Sequence, residues 1–293
     1  MNRAGVFRRV EPYLYLLPTI VGLLLFSAGA VAASFLLSFT EWDIITPPRW
    51  IWFGNYAGLW QSDFFWEVVA HTLEFVVLAV PASVLGALAL ALLVNTSLRG
   101  VTFFRTVYFL PVVSSMIAVA LVWSWMFNPR YGLLNTLLLH LFGIRGPAWL
   151  DDTSWALPAM VIVTVWKGLG YSMVIFLAGL QNIPADLYHA ATLDGAGTWA
   201  RFRHVTLPLL SPTTFFVLVV TLINAFQVFE QTYVLTKGGP ANSTVTLSYY
   251  VYQNAFQFFH MGLAAAVSYV LFALLFSVTL LQFRLQRRWV FYG

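Results

Sequence analysis

Charged residues in this chain fall at intervals between long apolar runs. Positions free of Asp, Glu, Lys and Arg number 29 between Glu11 and Glu41, 24 between Glu74 and Arg99, 24 between Arg105 and Arg130, and 26 between Arg203 and Glu230. The interval from Lys237 to Arg284 holds 46 such positions, but its first half is polar and only 262–284 is apolar. Asp152 to Asp186 is interrupted once, by Lys167. A helix needs about 20 apolar residues to cross a hydrocarbon core ~30 Å thick. The pattern therefore predicts six spans, at 13–39, 69–95, 105–127, 155–180, 207–231 and 262–284. Runs this long are not the alternating strands of about ten residues that build a membrane barrel. The expected fold is an all-α membrane protein: one transmembrane domain over 1–293, with a first span at 13–39, a five-helix core over 69–285 and no soluble domain before it. The first run is too long for the apolar part of a cleavable signal peptide, and no clear small-x-small cleavage site followed by polar sequence is present.

Composition agrees. Hydrophobic residues make up 60% of the chain and charged residues 9%, against about 25% charged in soluble domains. The net charge of +4 matters less than its placement. With the N-terminus inside, the inner segments carry Arg3, Arg8, Arg9, Arg99, Arg105, Arg201, Arg203, Arg284, Arg287 and Arg288, and the outer ones only Arg49, Arg130, Arg145 and Lys237. The positive-inside rule then puts both termini in the cytoplasm. Trp42, Trp50, Trp52, Trp60 and Trp66 crowd the first outer loop, as an interfacial aromatic belt would.

Enzymatic chemistry finds no foothold. Cysteine is absent, which excludes disulfides and thiolate sites. The five histidines (His71, His140, His189, His204, His260) form no pair at metal-ligand spacing, so no metal site and no catalytic residue is expected. No phosphate-cradling GxxxxGK[ST] loop occurs, so any ATP and Mg would be bound by a partner, and no cofactor is expected in the chain itself. A self-contained secondary transporter would show internal repeats, and none is visible.

The one long inner loop, at 182–208, carries the strongest signal. Pro184 sits where a helix can begin, with Asp186 in its first turn. Leu187, Ala190, Ala191 and Leu193 make a small apolar face, and Gly195 ends the helix. A second short helix is expected over Thr198–Thr206, with Pro208 and Pro212 opening the next span. Its small-residue surface suits close approach of another backbone; an amphipathic loop lying on lipid is the alternative.

This loop resembles the E-A-A, three residues, G, nine residues, I-x-L-P signature of the membrane subunits of bacterial binding-protein-dependent ABC importers. Here it reads His189-Ala190-Ala191, then Thr192-Leu193-Asp194, Gly195 and, after nine residues, Val205-Thr206-Leu207-Pro208. His189 in place of Glu is the one departure beyond a conservative Val205. Gly54-Asn55-Tyr56, Phe104-Arg105 with Leu110-Pro111, and Leu235-Thr236-Lys237-Gly238-Gly239-Pro240 also resemble family segments, the last those of its sugar and glycerol phosphate branch. The resemblance implies the type I importer permease fold in the bacterial cytoplasmic membrane. It also implies a heterodimer with a second, related permease, two ATPase subunits and an extracytoplasmic solute-binding protein. In that setting His189, Ala190, Ala191, Asp194, Gly195, Leu207 and Pro208 would couple the chain to its ATPase. The solute would be a carbohydrate or a related compound, with glycerol 3-phosphate or a glycerophosphodiester as the alternative. No nucleic-acid partner is expected.

Polar residues inside spans cost energy and mark function. Lys167 lies about 18 Å into span four, counting 1.5 Å per residue. Thr164, Lys167, Gly168 and Tyr171 share one helix face. Family likeness to the maltose branch places Thr164, Gly168 and Tyr171 at sugar-contact positions. Lys167 contacts solute or ties to a carbonyl or carboxylate between helices; the sequence leaves both open. Asn224, Gln227 and Gln231 share a face of span five with Glu230 near its outer end. A pathway lining is expected for Asn224, Gln227 and Glu230, against simple interhelical hydrogen bonds. Glu230 is expected to pair with Lys167 or with the sister permease.

Overall fold

The computed structural model describes residues 13, 15–96 and 100–291. Arg3, Arg8, Arg9 and Arg99, on which part of the charge argument rests, lie outside the described residues. The chain divides into two compact units, Met1–Ser62 with Val251–Val270 and Asp63–Tyr250 with Leu271–Gly293.

The first unit opens with helix α1 (Tyr15–Leu37), whose apolar window is entirely unburied by the rest of the chain. A helix apolar on every side needs an apolar solvent, as a membrane span has. A short hairpin follows, β1 (Thr40–Glu41) antiparallel to β2 (Arg49–Trp50), with Glu41 and Arg49 paired across it. In its turn the Asp43 carboxylate accepts from the Thr46 hydroxyl and N–H, both at 2.7 Å, which holds its pKa below the usual carboxylate range. Helix α2 (Gly54–Gln61) explains the Gly-Asn-Tyr segment. The Asn55 amide donates to the carbonyls of Ser38 and Thr40, each at 2.9 Å, and the Tyr56 hydroxyl donates to Ser38 Oγ at 2.8 Å.

The second unit opens at Asp63. Helix α3 (Asp63–Val94) begins six residues before the expected 69–95, because Asp63 in its first turn stabilises the helix N-terminus. The expected single span at 105–127 is two helices, α4 (Val101–Val113) and α5 (Met116–Met126), bent by 102°. Pro111 removes a backbone donor near the end of α4, and Ser114 and Ser115 take extended ψ values of 142° and 133°. Helix α6 (Leu133–Phe142) precedes the long α7 (Ala156–Gln181). Then come α8 (Ala185–Leu193), α9 (Thr198–Leu209) and α10 (Ser211–Phe226), the last two bent by 64°. The expected span at 207–231 is therefore shorter: its straight helix stops at Phe226, and a π-helical turn over Thr232–Thr236 follows. Helices α11 (Leu247–Tyr252) and α12 (Met261–Arg288), each of which runs across a boundary between the units, come last. Among the described residues, four helices are long and apolar enough to cross a membrane singly, and there are up to six spans if each bent pair is one.

Helices α3, α7 and α10 meet around Phe75, Met160, Met173, Phe176 and Phe226, all at most 1% exposed. Helix α4 lies so close to α7 that a Cβ on Gly170 would sit 2.2 Å from the Tyr108 carbonyl oxygen. Arg105, from the Phe-Arg segment, donates to the Val94 carbonyl at 2.8 Å and so caps the end of α3.

Candidate translocation cavity and helical hairpin

A cavity of about 380 Å³ opens within the second unit, between α3, α7, α10 and the broken ends of α4 and α5. From α7 it is lined by Thr164, Lys167, Gly168 and Tyr171, the face that the helical spacing predicts. Asn224 and Thr221 come from α10, and Glu230 and Gln231 from the turn beyond it. Gly168 leaves nothing within 4 Å of where a Cβ would stand, so the cavity reaches its backbone there. The Thr164 hydroxyl donates to the Met160 carbonyl at 2.9 Å, leaving its oxygen to accept.

Gln227 does not line this cavity. Helix α10 ends at Phe226, and Gln227 is its C-cap with φ −93° and ψ 15°, so the expected i, i+3, i+7 face is interrupted. The restarted turn brings Glu230 and Gln231 back to the wall. Ser83, Ser172 and Thr221 also line it. Each is a small hydroxyl in an apolar run, and Thr221 lies three residues before Asn224 on the same helix face. That was the only local signal for them.

Lys167 is held by the break in span three. Its Nζ donates to the Val112 carbonyl at 3.4 Å. Val112 lies in the last turn of α4, where carbonyls lack intrahelical partners and the helix dipole is negative. The lysine thus caps a half-helix with a positive charge, the interhelical carbonyl tie that the sequence left open. Among the described residues, no ion pair joins Lys167 to Glu230.

Helices α8 and α9 form the hairpin that carries the linear signature. Pro184 is the N-cap of α8 and Asp186 falls in its first turn. The helix ends in a Schellman arrangement: Ala196 N–H donates to the Ala191 carbonyl at 2.9 Å and Gly195 N–H to that of Thr192 at 3.0 Å. Gly195 occupies φ +79°, a conformation that favours glycine. Two contacts tie the helices: the hydroxyls of Tyr188 and Thr206 at 3.0 Å, and Arg201 Nη1 donating to Thr192 Oγ1 at 3.3 Å. Outward lie His189, Ala190, Asp194 and Leu207, with Ala191 and Pro208 half-buried. Leu193 is 89% and Trp199 70% exposed, an apolar surface that the other described residues leave uncovered.

Residues 51–290 match the family described as binding-protein-dependent transport system inner membrane components. The lactose transport system permease protein LacF of Rhizobium radiobacter is 40% identical over 235 residues, 78% of each chain. The sulfoquinovosyl glycerol transport system permease protein SmoG of Agrobacterium fabrum is 34% identical, over 95% of this chain and 91% of that one. Among solved structures, a chain of a bacterial ABC transporter involved in the import of the acidic polysaccharide alginate superposes with a TM-score of 0.85 at 26% identity, covering 97% of this chain and 98% of its own. The chain belongs to the binding-protein-dependent transport system inner membrane component family and is a multi-pass permease subunit of an ABC importer.

Proposed function

We propose that this chain is one half of a carbohydrate-importing permease, and that the cavity beside α7 is its share of the solute pathway. The observation that carries this reading is the lining. Tyr171, Thr164, Thr221, Asn224 and Gln231 offer an aromatic face with neutral hydrogen-bonding groups, beside the open backbone of Gly168. A sugar presents the same chemistry: hydroxyls that donate and accept, and C–H faces that pack on aromatic rings. A cavity of about 380 Å³ falls within the range of small-ligand sites. The relative named for lactose supports a carbohydrate solute.

The hairpin of α8 and α9 is the proposed contact with an ATPase subunit, with Ala190 and Ala191 allowing close approach and Leu193 and Trp199 supplying apolar area. The chain itself then performs no catalysis. A pair of ATPase subunits binds ATP and Mg, a second permease completes the pathway, and an extracytoplasmic binding protein delivers the solute. The complex sits in the bacterial cytoplasmic membrane with both termini of this chain inside.

The absence of cysteine makes the pathway directly testable. Single cysteines at Thr221 and Asn224 in the assembled importer are expected to react with a membrane-impermeant, charged thiosulfonate. They should be protected by transported sugar with binding protein. A cysteine at Ile162, exposed on another face of α7, should stay inert. Inert cysteines at both cavity positions would overturn the pathway.

A further inference from the structure

Two charged side chains line the cavity, and the structure treats them differently. Lys167 points its ammonium at the Val112 carbonyl, 3.4 Å away, and is engaged with the negative end of α4. Glu230 stands just beyond the end of α10, where the chain restarts its helical course. Among the described residues, no hydrogen bond or ion pair engages its carboxylate, and that carboxylate borders the cavity. The remaining polar wall is neutral. The cavity therefore offers solute one uncommitted charge, and that charge is negative.

An uncommitted carboxylate has a definite preference. Its two oxygens accept the hydrogens of adjacent hydroxyls on a sugar ring, and such charge-assisted bonds are shorter and stronger than neutral ones. A solute bearing its own carboxylate, sulfonate or phosphate meets like-charge repulsion there. The fold does not impose this preference, since a transporter of an acidic polysaccharide superposes on this chain with a TM-score of 0.85. The side chains must set it.

We propose that Glu230 is the charge selector of the pathway, holding paired hydroxyls of an uncharged saccharide and turning acidic solutes away. The proposal rests on the carbohydrate-pathway reading above. It assigns Glu230 a specificity role that neither the hairpin signature nor the family likeness supplies.

The test uses the complete importer in proteoliposomes with its own binding protein, which is the same for every variant. ATP-driven uptake of lactose, maltose and cellobiose is compared with that of cellobiouronic acid and glycerol 3-phosphate. The wild type is expected to take up its best uncharged probe at least about tenfold faster than either acidic one. Glu230→Gln keeps the shape, and the carboxylate makes no internal bond, so assembly is expected to survive. It should slow the uncharged probe about threefold to tenfold and narrow the uncharged-to-acidic ratio to about threefold or less. Glu230→Ala should narrow it equally.

An unchanged ratio in both variants overturns the selector, as does a wild type that favours an acidic probe. The cysteine labelling at Thr221 and Asn224 separates the two ideas. Reactive, sugar-protected cysteines with an unchanged ratio leave the pathway standing and remove Glu230 from it. Inert cysteines remove the pathway itself, and uptake of no probe sinks both readings.

Discussion

In the α8–α9 hairpin the notable side chains point outward, Leu193 at 89% and Trp199 at 70% exposure. In the cavity they converge on an interior space, and Lys167 is tied to the Val112 carbonyl at 3.4 Å. The hairpin is local, with every residue of its signature falling between His189 and Pro208. The cavity draws on residues from Ala79 to Gln231. An element that docks on a partner needs only a short rigid scaffold and an uncovered face. An element that passes solute needs several helices and an account for every charge it buries.

Changes that fill space should separate the regions most strongly. Ala190→Trp is expected to lower both ATP hydrolysis stimulated by binding protein and sugar uptake by about a hundredfold, while the permease still inserts and assembles with its sister. Loss of uptake alone would place Ala190 outside the coupling surface. Gly170→Leu should act through folding rather than through either function. Even a Cβ there would meet the Tyr108 carbonyl at 2.2 Å. The expected cost is about 3 kcal/mol or more, read as a lower Tm and poor recovery of monodisperse complex.

Lys167→Met keeps the length of the stem but removes the cap on α4. The expected loss is about 1–2 kcal/mol, visible in Tm and partly restored by Lys167→Arg. An unchanged Tm would mean that the lysine does not hold the break in span three. Gly195→Ala is a milder perturbation, because nothing lies within 4 Å of the new Cβ and only the backbone at φ +79° is strained. About 1 kcal/mol is expected, with ATPase stimulation more sensitive than solute binding.

The smallest effect concerns the first unit. The Asp43 carboxylate is held below its ordinary pKa by the Thr46 hydroxyl and N–H. A lowered folded pKa means that its contribution is present above the unfolded value and fades as pH falls through the folded one. Protection of the Thr46 amide from hydrogen exchange should therefore weaken only in acid, and Asp43→Asn should remove that dependence.

Much of this was readable in the sequence, for physical reasons that differ by region. Charge-free runs announced the spans because hydrocarbon admits little else. The hairpin was legible as a linear spacing, since Pro184, Asp186 and Gly195 each act within a turn of their own position. Thr164, Lys167, Gly168 and Tyr171 were legible as a helix face because α7 is unbroken from Ala156 to Gln181. The same logic failed where helices stop. Gln227 missed the cavity because α10 ends at Phe226, and span three broke at Ser114 and Ser115, two residues whose type alone does not announce a 102° bend. The engagement of Lys167 with Val112, 55 residues away in sequence, depends on that bend and so could be seen only in three dimensions.

The central claim is that hairpin and cavity divide the work, one receiving the drive from ATP and the other passing the solute. Its most direct test measures ATP hydrolysis and sugar uptake together in proteoliposomes carrying Gly168→Trp, which fills the open space beside α7. The account predicts stimulated hydrolysis within about twofold of wild type and uptake reduced about a hundredfold, so that solute moved per ATP collapses. Undiminished uptake in a fully assembled Gly168→Trp importer would contradict it, because solute would then be crossing somewhere else.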